Sequence, residues 1–168
     1  MKTKGFYRRN LPHIKTFSGA YFVTFRVKGD LFLPARARSI TLRHCLFENQ
    51  MRIDLFAVVI MPNHVHMIFE SLEDDDGEPY ALAVIMKGIK GTSARNINRF
   101  LGRAGTLWMP ESFDRILRRG EFEKKLNYIR ANPVDAGLCS RPEEYKWLWE
   151  NAQARVPALH RSSLDNQR

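Results

Sequence analysis

The chain has few cysteines and no long apolar run. Cys45 and Cys139 are its two cysteines, and the absence of paired spacing argues against a zinc knuckle and a disulfide framework. The longest apolar run, Leu55 to Met61, is far too short to cross a bilayer, and the basic segment Met1 to Asn10 has no apolar signal core. We therefore expect a cytoplasmic protein with no membrane partner.

Acidic residues are scarce outside one short segment. The chain has 27 Lys and Arg against 18 Asp and Glu, a formal net charge of +9. Five of the acids lie between Glu73 and Glu78, so removing those five negative charges leaves +14 on the rest of the chain. Such a surplus favours a polyanionic partner, with nucleic acid as the leading candidate. A solvated basic surface is the alternative that charge alone leaves open.

Length and composition predict one globular domain. A chain of 168 residues with 44% apolar residues is long enough to bury one core. From about Asn151 the sequence turns polar and loses periodicity. We expect a single domain over 1–150 and a flexible polar tail over 151–168.

Hydrophobic periodicity predicts four strands and three helices. In chain order they are strand Ala20 to Val27, helix Arg36 to Gln50, strands Leu55 to Ile60 and Val65 to Glu70, helix Tyr80 to Leu101, strand Phe113 to Leu117 and helix Gly120 to Asn132. The last helix is expected to stop at Asn132-Pro133, because the residue before a proline avoids the α region.

This order, βαββαβ followed by a helix, predicts an α+β fold. It fits the ferredoxin-like plan, an antiparallel sheet with helices on one face, here with an added C-terminal helix.

Two histidines lie two residues apart where the third predicted strand begins, one directly before it and one within it. Because side chains alternate along a strand, His64 and His66 face the same side while Val65 faces the other. Such a pair can bind a divalent ion if a third group joins it. Two histidines on a solvated strand face remain the alternative.

Tyr128 and Asn132 lie four residues apart, which places them on one side of the last predicted helix. They flank its apolar stripe, beside Glu121 and Lys125. Asn132 could ligate a metal or simply occupy a helix end. With the histidine pair, these residues suit phosphoryl transfer, in which a metal polarises a phosphodiester and a phenol attacks phosphorus.

Four motifs carry a resemblance to a known family. In order they are Met61-Pro62-Asn63-His64-Val65-His66, Gly105-Thr106-Leu107-Trp108, Phe113-Asp114-Arg115, and the run from Tyr128 to Leu138, YIRANPVDAGL. Together they resemble the REP-associated tyrosine transposases, which belong to the His-hydrophobic-His endonucleases, from about Tyr21 to Trp147. The chain departs from the family after Tyr145-Lys146-Trp147, where two serines are replaced by Leu148 and Trp149.

The resemblance implies an enzyme that cleaves single-stranded DNA near a hairpin, leaving a 5′-phosphotyrosine and a free 3′-hydroxyl. Carried onto this sequence, Tyr128 is the nucleophile on the added helix, His64 and His66 are the metal pair, and Asn132 is the third ligand. The expected cofactor is Mg²⁺ or Mn²⁺, and the expected partner is single-stranded or hairpin DNA. The resemblance leaves open whether the protein is a monomer or a homodimer.

Basic residues near these motifs are predicted to contact DNA phosphates: Lys87, Lys90, Arg95, Arg115, Arg118 and Arg119. An Asp114–Arg115 ion pair is the competing interpretation for that position. The three tryptophans, Trp108, Trp147 and Trp149, suit either base stacking or core packing.

Three other functions are compatible with the same residues. A non-catalytic nucleic-acid-binding module on a ferredoxin-like sheet would use stacked bases and basic loops. A metal-dependent nuclease using water would leave Tyr128 structural and form no covalent adduct. A domesticated relative that binds DNA without moving it has the same sequence features.

Overall fold

The computed structural model describes residues 19–118 and 120–152. The elements in this part of the chain are β1 (Tyr21–Arg26), α1 (Ala35–Glu48), β2 (Ile53–Ile60), β3 (His64–Ser71), α2 (Leu82–Leu101), β4 (Phe113–Ile116), α3 (Phe122–Asp135), a short 3-10 helix (Pro142–Glu144) and β5 (Leu148–Glu150). The predicted α+β order βαββαβ followed by a helix is confirmed.

The strands form one antiparallel sheet in the order β4-β1-β3-β2-β5. The first four strands of this order have the ferredoxin-like arrangement, as predicted. The fifth was missed, because a three-residue strand is too short to show a two-residue period. β5 pairs with β2 and covers what would otherwise be an open edge.

Both faces of the sheet are covered, which explains why all eight residues of β2 are buried. On one face α1 and α2 pack against side chains such as Phe25, Met67 and Phe69. On the other face α3 packs through Leu126 and Ile129. The two predicted helices on one face and the added C-terminal helix are therefore confirmed.

A glycine lets α1 and α2 approach each other closely. A Cβ on Gly88 would lie 2.7 Å from Oε1 of Glu48, a buried carboxylate that pairs with Arg52 at 3.2 Å. α2 runs without a break past both of its glycines, so the weakening that the sequence predicts near Gly88 and Gly91 does not interrupt the helix.

The predicted stop of the last helix at Asn132-Pro133 is wrong, because α3 continues through Pro133 to Asp135. Pro133 lies in the last turn and is buried, so the loss of one backbone hydrogen bond is confined to the helix end. The N–H of Ala136 still donates to the carbonyl of Asn132 at 3.1 Å. Asn132 is therefore an internal helical residue, one turn beyond Tyr128.

A salt bridge ties α3 to the edge of the sheet. The Arg130 guanidinium donates from Nε to Oε1 of Glu150 at 2.8 Å and from NH2 to Oε2 at 2.7 Å. Glu150 belongs to β5, so this two-point contact complements the apolar contacts beneath α3.

Of the predicted tail over 151–168, all but Asn151 and Ala152 lies outside the described residues. Among the helices that are described, none is long and apolar enough to cross a membrane.

Two tryptophans donate hydrogen bonds to serines, one in the core and one near the surface. Trp108 is 3% exposed and its Nε1 donates to Oγ of the fully buried Ser93 at 3.0 Å. The half-buried Trp147 donates in the same way to Ser39 at 3.0 Å. Core packing, and not base stacking, is thus the role of Trp108.

Replacing each serine with alanine should show that the two hydrogen bonds contribute differently to the free energy of unfolding. Ser93→Ala leaves a buried indole N–H without its acceptor and should lower the free energy of unfolding by about 1–3 kcal/mol. Ser39→Ala should lower the free energy of unfolding by less than about 0.5 kcal/mol, because water can replace the hydroxyl. Both substitutions gain the same helix propensity, so this gain cancels in the comparison. Chemical denaturation measures both values, and equal losses would contradict the assigned burial.

Candidate active site

The register of β3 brings both predicted histidines to the face covered by α3. His66 lies opposite Thr24 of β1 and Val59 of β2, and His64 lies opposite Arg26. Val65 between them points into the core on the other face. The predicted alternation is therefore what the structure has, and the two imidazole rings meet with centroids 4.7 Å apart.

His66 is held in one orientation by two contacts. Its Nδ1 shares a hydrogen bond with Oγ1 of Thr24 at 2.7 Å, and its ring stacks on Phe22 with centroids 5.6 Å apart. Burial lowers the pKa of His66 to about 3, and nearby positive charges, with His64 first, act in the same direction. The ring is therefore neutral, and within the described chain its Nε2 has no hydrogen-bond partner.

His64 lies between two amide oxygens. Its Nδ1 is 2.7 Å from Oδ1 of Asn63, and its Nε2 is 3.2 Å from Oδ1 of Asn132. Burial lowers the pKa of His64, against the opposing effect of the Asn132 contact. A neutral imidazole has one N–H, so it can donate to one of these oxygens only.

This arrangement fits a divalent cation. When the His64 proton is on Nδ1, that N–H donates to Oδ1 of Asn63. Nε2 of His64 and Oδ1 of Asn132 then both present lone pairs, which a cation between them could accept. Metal-binding histidines characteristically donate their other N–H to an oxygen in this way. In the part of the chain that the structure describes, no three His, Cys, Asp or Glu side chains cluster. Oδ1 of Asn132, 3.2 Å from Nε2 of His64, is an amide oxygen that would serve as the third protein ligand beside the histidine pair.

Tyr128 lies beside the histidines and is open to solvent. Its ring centroid is 5.1 Å from that of His66 and 6.1 Å from that of Phe22, and the residue is 46% exposed. Ile129, the next residue, is fully buried and anchors α3 on the sheet. A nucleophile needs this combination of a fixed helix and an accessible hydroxyl.

Lys125 is a cation of this site. The sequence placed it on the same side of the last predicted helix as Tyr128 and Asn132 but gave it no role. Its Nζ lies 4.5 Å from the Phe22 ring centroid and 5.2 Å from the Tyr128 ring centroid. The signal in the sequence was its position three residues before Tyr128, which is one helical turn. Phe22 and Thr24 had no such signal, because their contacts depend on the strand register.

The predicted DNA contacts on α2 lie on the opposite face of the sheet from Tyr128. Lys87 and Arg95 are exposed there. Nζ of Lys90 donates to the carbonyls of Met109 and Pro110 at 2.8 and 3.0 Å and to Oγ of Ser112 at 3.1 Å. An ammonium has three donors, so Lys90 has none left for a phosphate and its assignment to DNA is not supported.

Arg115 forms an ion pair, but not with the neighbour that the sequence suggested. Its NH2 lies 2.9 Å from Oε1 of Glu121, whose other oxygen accepts the backbone N–H of Arg118 at 2.8 Å. The Asp114–Arg115 interpretation is therefore wrong, since successive strand residues point to opposite faces. The Arg118 side chain is exposed, and Arg119 lies outside the described residues.

The chain is similar to known proteins in sequence and in structure. A family model described as "Transposase IS200 like" matches residues 38–132. A solved REP-associated tyrosine transposase bound to a REP hairpin is 20% identical with a TM-score of 0.60, over 86% of this chain and 82% of that one. A putative transposase from Deinococcus radiodurans R1 is 21% identical with a TM-score of 0.45, over 77% of this chain and 95% of that one. No curated protein matches the chain.

The structural likeness to the REP-associated enzyme, at a TM-score of 0.60, shows a shared fold. The family match covers more than half of the sequence and includes both histidines and Asn132 together with Tyr128. The chain therefore belongs to the IS200-like transposase family and is an enzyme that cuts and joins DNA.

Proposed function

We propose that this transposase cleaves single-stranded DNA beside a hairpin with Tyr128 as the nucleophile, while His64, His66 and Asn132 hold Mg²⁺ or Mn²⁺. One observation carries the proposal. The exposed Tyr128 ring lies 5.1 Å from the neutral His66 ring, and Asn132 on the same helix lies 3.2 Å from His64. Strand and helix thus bring four side chains of complementary chemistry to one place.

The chemistry conserves the energy of the phosphodiester bond. The Tyr128 phenol oxygen attacks phosphorus, the bond from phosphorus to the 3′-oxygen breaks, and the protein keeps a 5′-phosphotyrosine while a 3′-hydroxyl is released. Attack by another 3′-hydroxyl on that linkage returns the phenol and joins two strands. A bound divalent ion supplies Lewis-acid polarisation of the phosphodiester.

The protein's residues orient these groups. Thr24 and Phe22 fix the His66 ring, and Asn63 fixes the His64 ring, so that both Nε2 atoms are available. Lys125 places a positive charge next to the phenol, where an anionic phosphate must approach.

Hairpin DNA is the proposed substrate for two reasons. The net charge of +9 favours a polyanion. The solved transposase with the same fold is described as bound to a REP hairpin. Single-stranded DNA next to the stem gives Tyr128 an unpaired backbone to attack.

Replacing the nucleophile tests the proposal directly. Wild-type protein with 5′- or 3′-labelled hairpin DNA and Mn²⁺ should give a covalent band on a denaturing gel that carries the label of the strand 3′ to the cut. Tyr128→Phe should abolish that band, because the attacking oxygen is missing. Tyr80→Phe, on the other face of the sheet, should retain it. Cleavage by Tyr128→Phe without an adduct would indicate a nuclease that uses water. Binding of hairpin DNA by the wild type without any cleavage would indicate a binding module.

The metal assignment has its own test. Removing an outer-shell partner of a metal site typically costs 10–100-fold in affinity, so Asn132→Ala, which removes a direct ligand, should weaken Mn²⁺ binding by at least about tenfold. Asn127→Ala, an exposed amide on the same helix, should not change it. Calorimetric titration of the DNA-free protein measures both. Equal affinity in the wild type and Asn132→Ala would exclude Asn132 as a ligand.

Lys125 can be compared with its neighbour Lys124, which is exposed. Lys125→Met removes the charge beside Tyr128 and should slow adduct formation by about tenfold under single-turnover conditions. This loss is smaller than the loss expected on removing a fully buried electrostatic contact, because the site is open to solvent. Lys125→Arg should restore most of the rate. Lys124→Met removes the same charge one residue away and should react like the wild type. Equal rates for both methionine variants would refute a role for this ammonium.

A further inference from the structure

The sheet face that carries the histidines is only partly covered by α3. The helix packs mainly on β2 and β3, through buried residues such as Leu126 and Ile129. β1 and β4 form the other half of this face, and β4 is an edge strand with three of its four residues exposed. The open half of the face therefore lies directly beside the Tyr128 site.

Phe113 is a large apolar side chain on this open half. It is the Cα partner of Thr24 in the pairing of β1 with β4, so both side chains point to the same face of the sheet. Thr24 bonds His66, which identifies that face as the catalytic one. Phe113 is 59% exposed, and it belongs to neither cluster of buried apolar side chains in the described chain. Its ring is therefore available to a ligand.

Phe113 is close enough to the catalytic centre to contact the same DNA strand. Thr24 is the Cα partner of both Phe113 and His66, so the three residues form one row across the sheet. Neighbouring strands are about 4.8 Å apart, which puts the backbones of Phe113 and His66 roughly 10 Å apart. The Tyr128 ring lies next to His66, with centroids 5.1 Å apart. A short stretch of single-stranded DNA can therefore reach Phe113 and Tyr128 together.

Two cations flank this row along the direction of β1. Arg26 is exposed and is the Cα partner of His64, so it points to the catalytic face. Lys125 lies 4.5 Å from the ring of Phe22, four residues before Arg26. Four residues of strand span about 13 Å. Within residues 19–118 and 120–152 neither cation forms a salt bridge. An exposed aromatic ring between unpaired cations is complementary to a single strand, which offers base faces and phosphates.

We propose that Phe113 and Arg26 form a nucleotide subsite beside the catalytic centre, in which Phe113 stacks on one unpaired base and Arg26 binds a neighbouring phosphate. The inference rests on the proposed single-stranded substrate and adds where one of its bases lies. Stacking on a phenyl ring tolerates any base, so the subsite would position the strand without reading its sequence. A second copy of this chain fits less well, because a two-fold contact through this face would bring the same unpaired cations together.

An abasic scan tests the stacking contact. The probe is a labelled DNA hairpin with single-stranded extensions, in which one abasic residue is moved through the extensions position by position. Fluorescence anisotropy in chelator, where no cleavage occurs, measures the affinity of the wild type, Phe113→Leu and Phe113→Trp. Phe47→Leu is the matched control, because Phe47 is 61% exposed and lies on α1, in the other helical layer. Circular dichroism checks that each variant is folded.

The wild type should lose about tenfold in affinity when the abasic residue occupies the stacking position, as expected for one base stacked on an aromatic ring. Phe113→Leu should bind intact DNA about tenfold more weakly and show no further loss at that position, since the ring is already missing. Phe113→Trp should restore the affinity and the sensitive position, and Phe47→Leu should match the wild type. A Phe113→Leu protein with the same scan as the wild type would overturn the proposal.

The phosphate contact has a separate readout. Arg26→Gln should lower the slope of log affinity against log salt by about 0.7, the value for one phosphate of a single strand. Lys146→Gln removes an exposed charge next to β5, at the opposite edge of the sheet, and should leave the slope unchanged. Equal slopes for the wild type and Arg26→Gln would remove Arg26 from the subsite.

Other outcomes separate this inference from the alternatives and from the proposed chemistry. A wild-type dimer in sedimentation that Phe113→Leu dissociates, with equal abasic scans for both proteins, would assign Phe113 to a second copy and overturn the subsite. A wild type that forms no covalent adduct with Mn²⁺, yet shows a sensitive position that Phe113→Leu lacks, would refute tyrosine chemistry and support the subsite. An adduct without any such position would support the chemistry and refute the subsite.

Discussion

The antiparallel pairing of β3 between β1 and β2 is the constraint on which the site depends. It sends His64 and His66 to one face of the sheet and Val65 to the other. A slip of one residue would bury the imidazoles among the apolar side chains under α1 and α2 and move Val65 to the face covered by α3. The all-buried β2, covered on both faces, makes such a slip costly. The positions of the histidines are thus a consequence of core packing.

The position of the nucleophile depends on the attachment of α3. Buried Leu126 and Ile129 hold the helix on the sheet, and Arg130 ties it to β5 through Glu150. Tyr128 stays exposed because it lies beside this apolar stripe, yet the same stripe keeps it next to His66. The site is therefore anchored to the sheet on its protein side and open on its substrate side, as an enzyme that receives a long polymer requires.

Most of the fold could be predicted because its elements are long and periodic. The alternation in β1 and the helical spacing in α1 give signals over six or more residues, and their boundaries were predicted to within two residues. β5 has three residues and no such signal. The end of α3 was misjudged because a proline in the last turn breaks one hydrogen bond only, and the burial of Pro133 offsets that loss.

The sequence by itself determined the chemistry that is available: two histidines with strand spacing, a tyrosine and an amide with helical spacing, and a large positive charge. The tertiary structure decided which of these groups meet, because contacts between elements depend on register and packing and not on distance along the chain. It brought Phe22, Thr24 and Lys125 to the histidines and Tyr128, turned Lys90 inward to three oxygens, and paired Arg115 with Glu121. It also separated Lys87 and Arg95 of α2 from the catalytic face, since a strand alternates its side chains but a helix packs on one side of the sheet only.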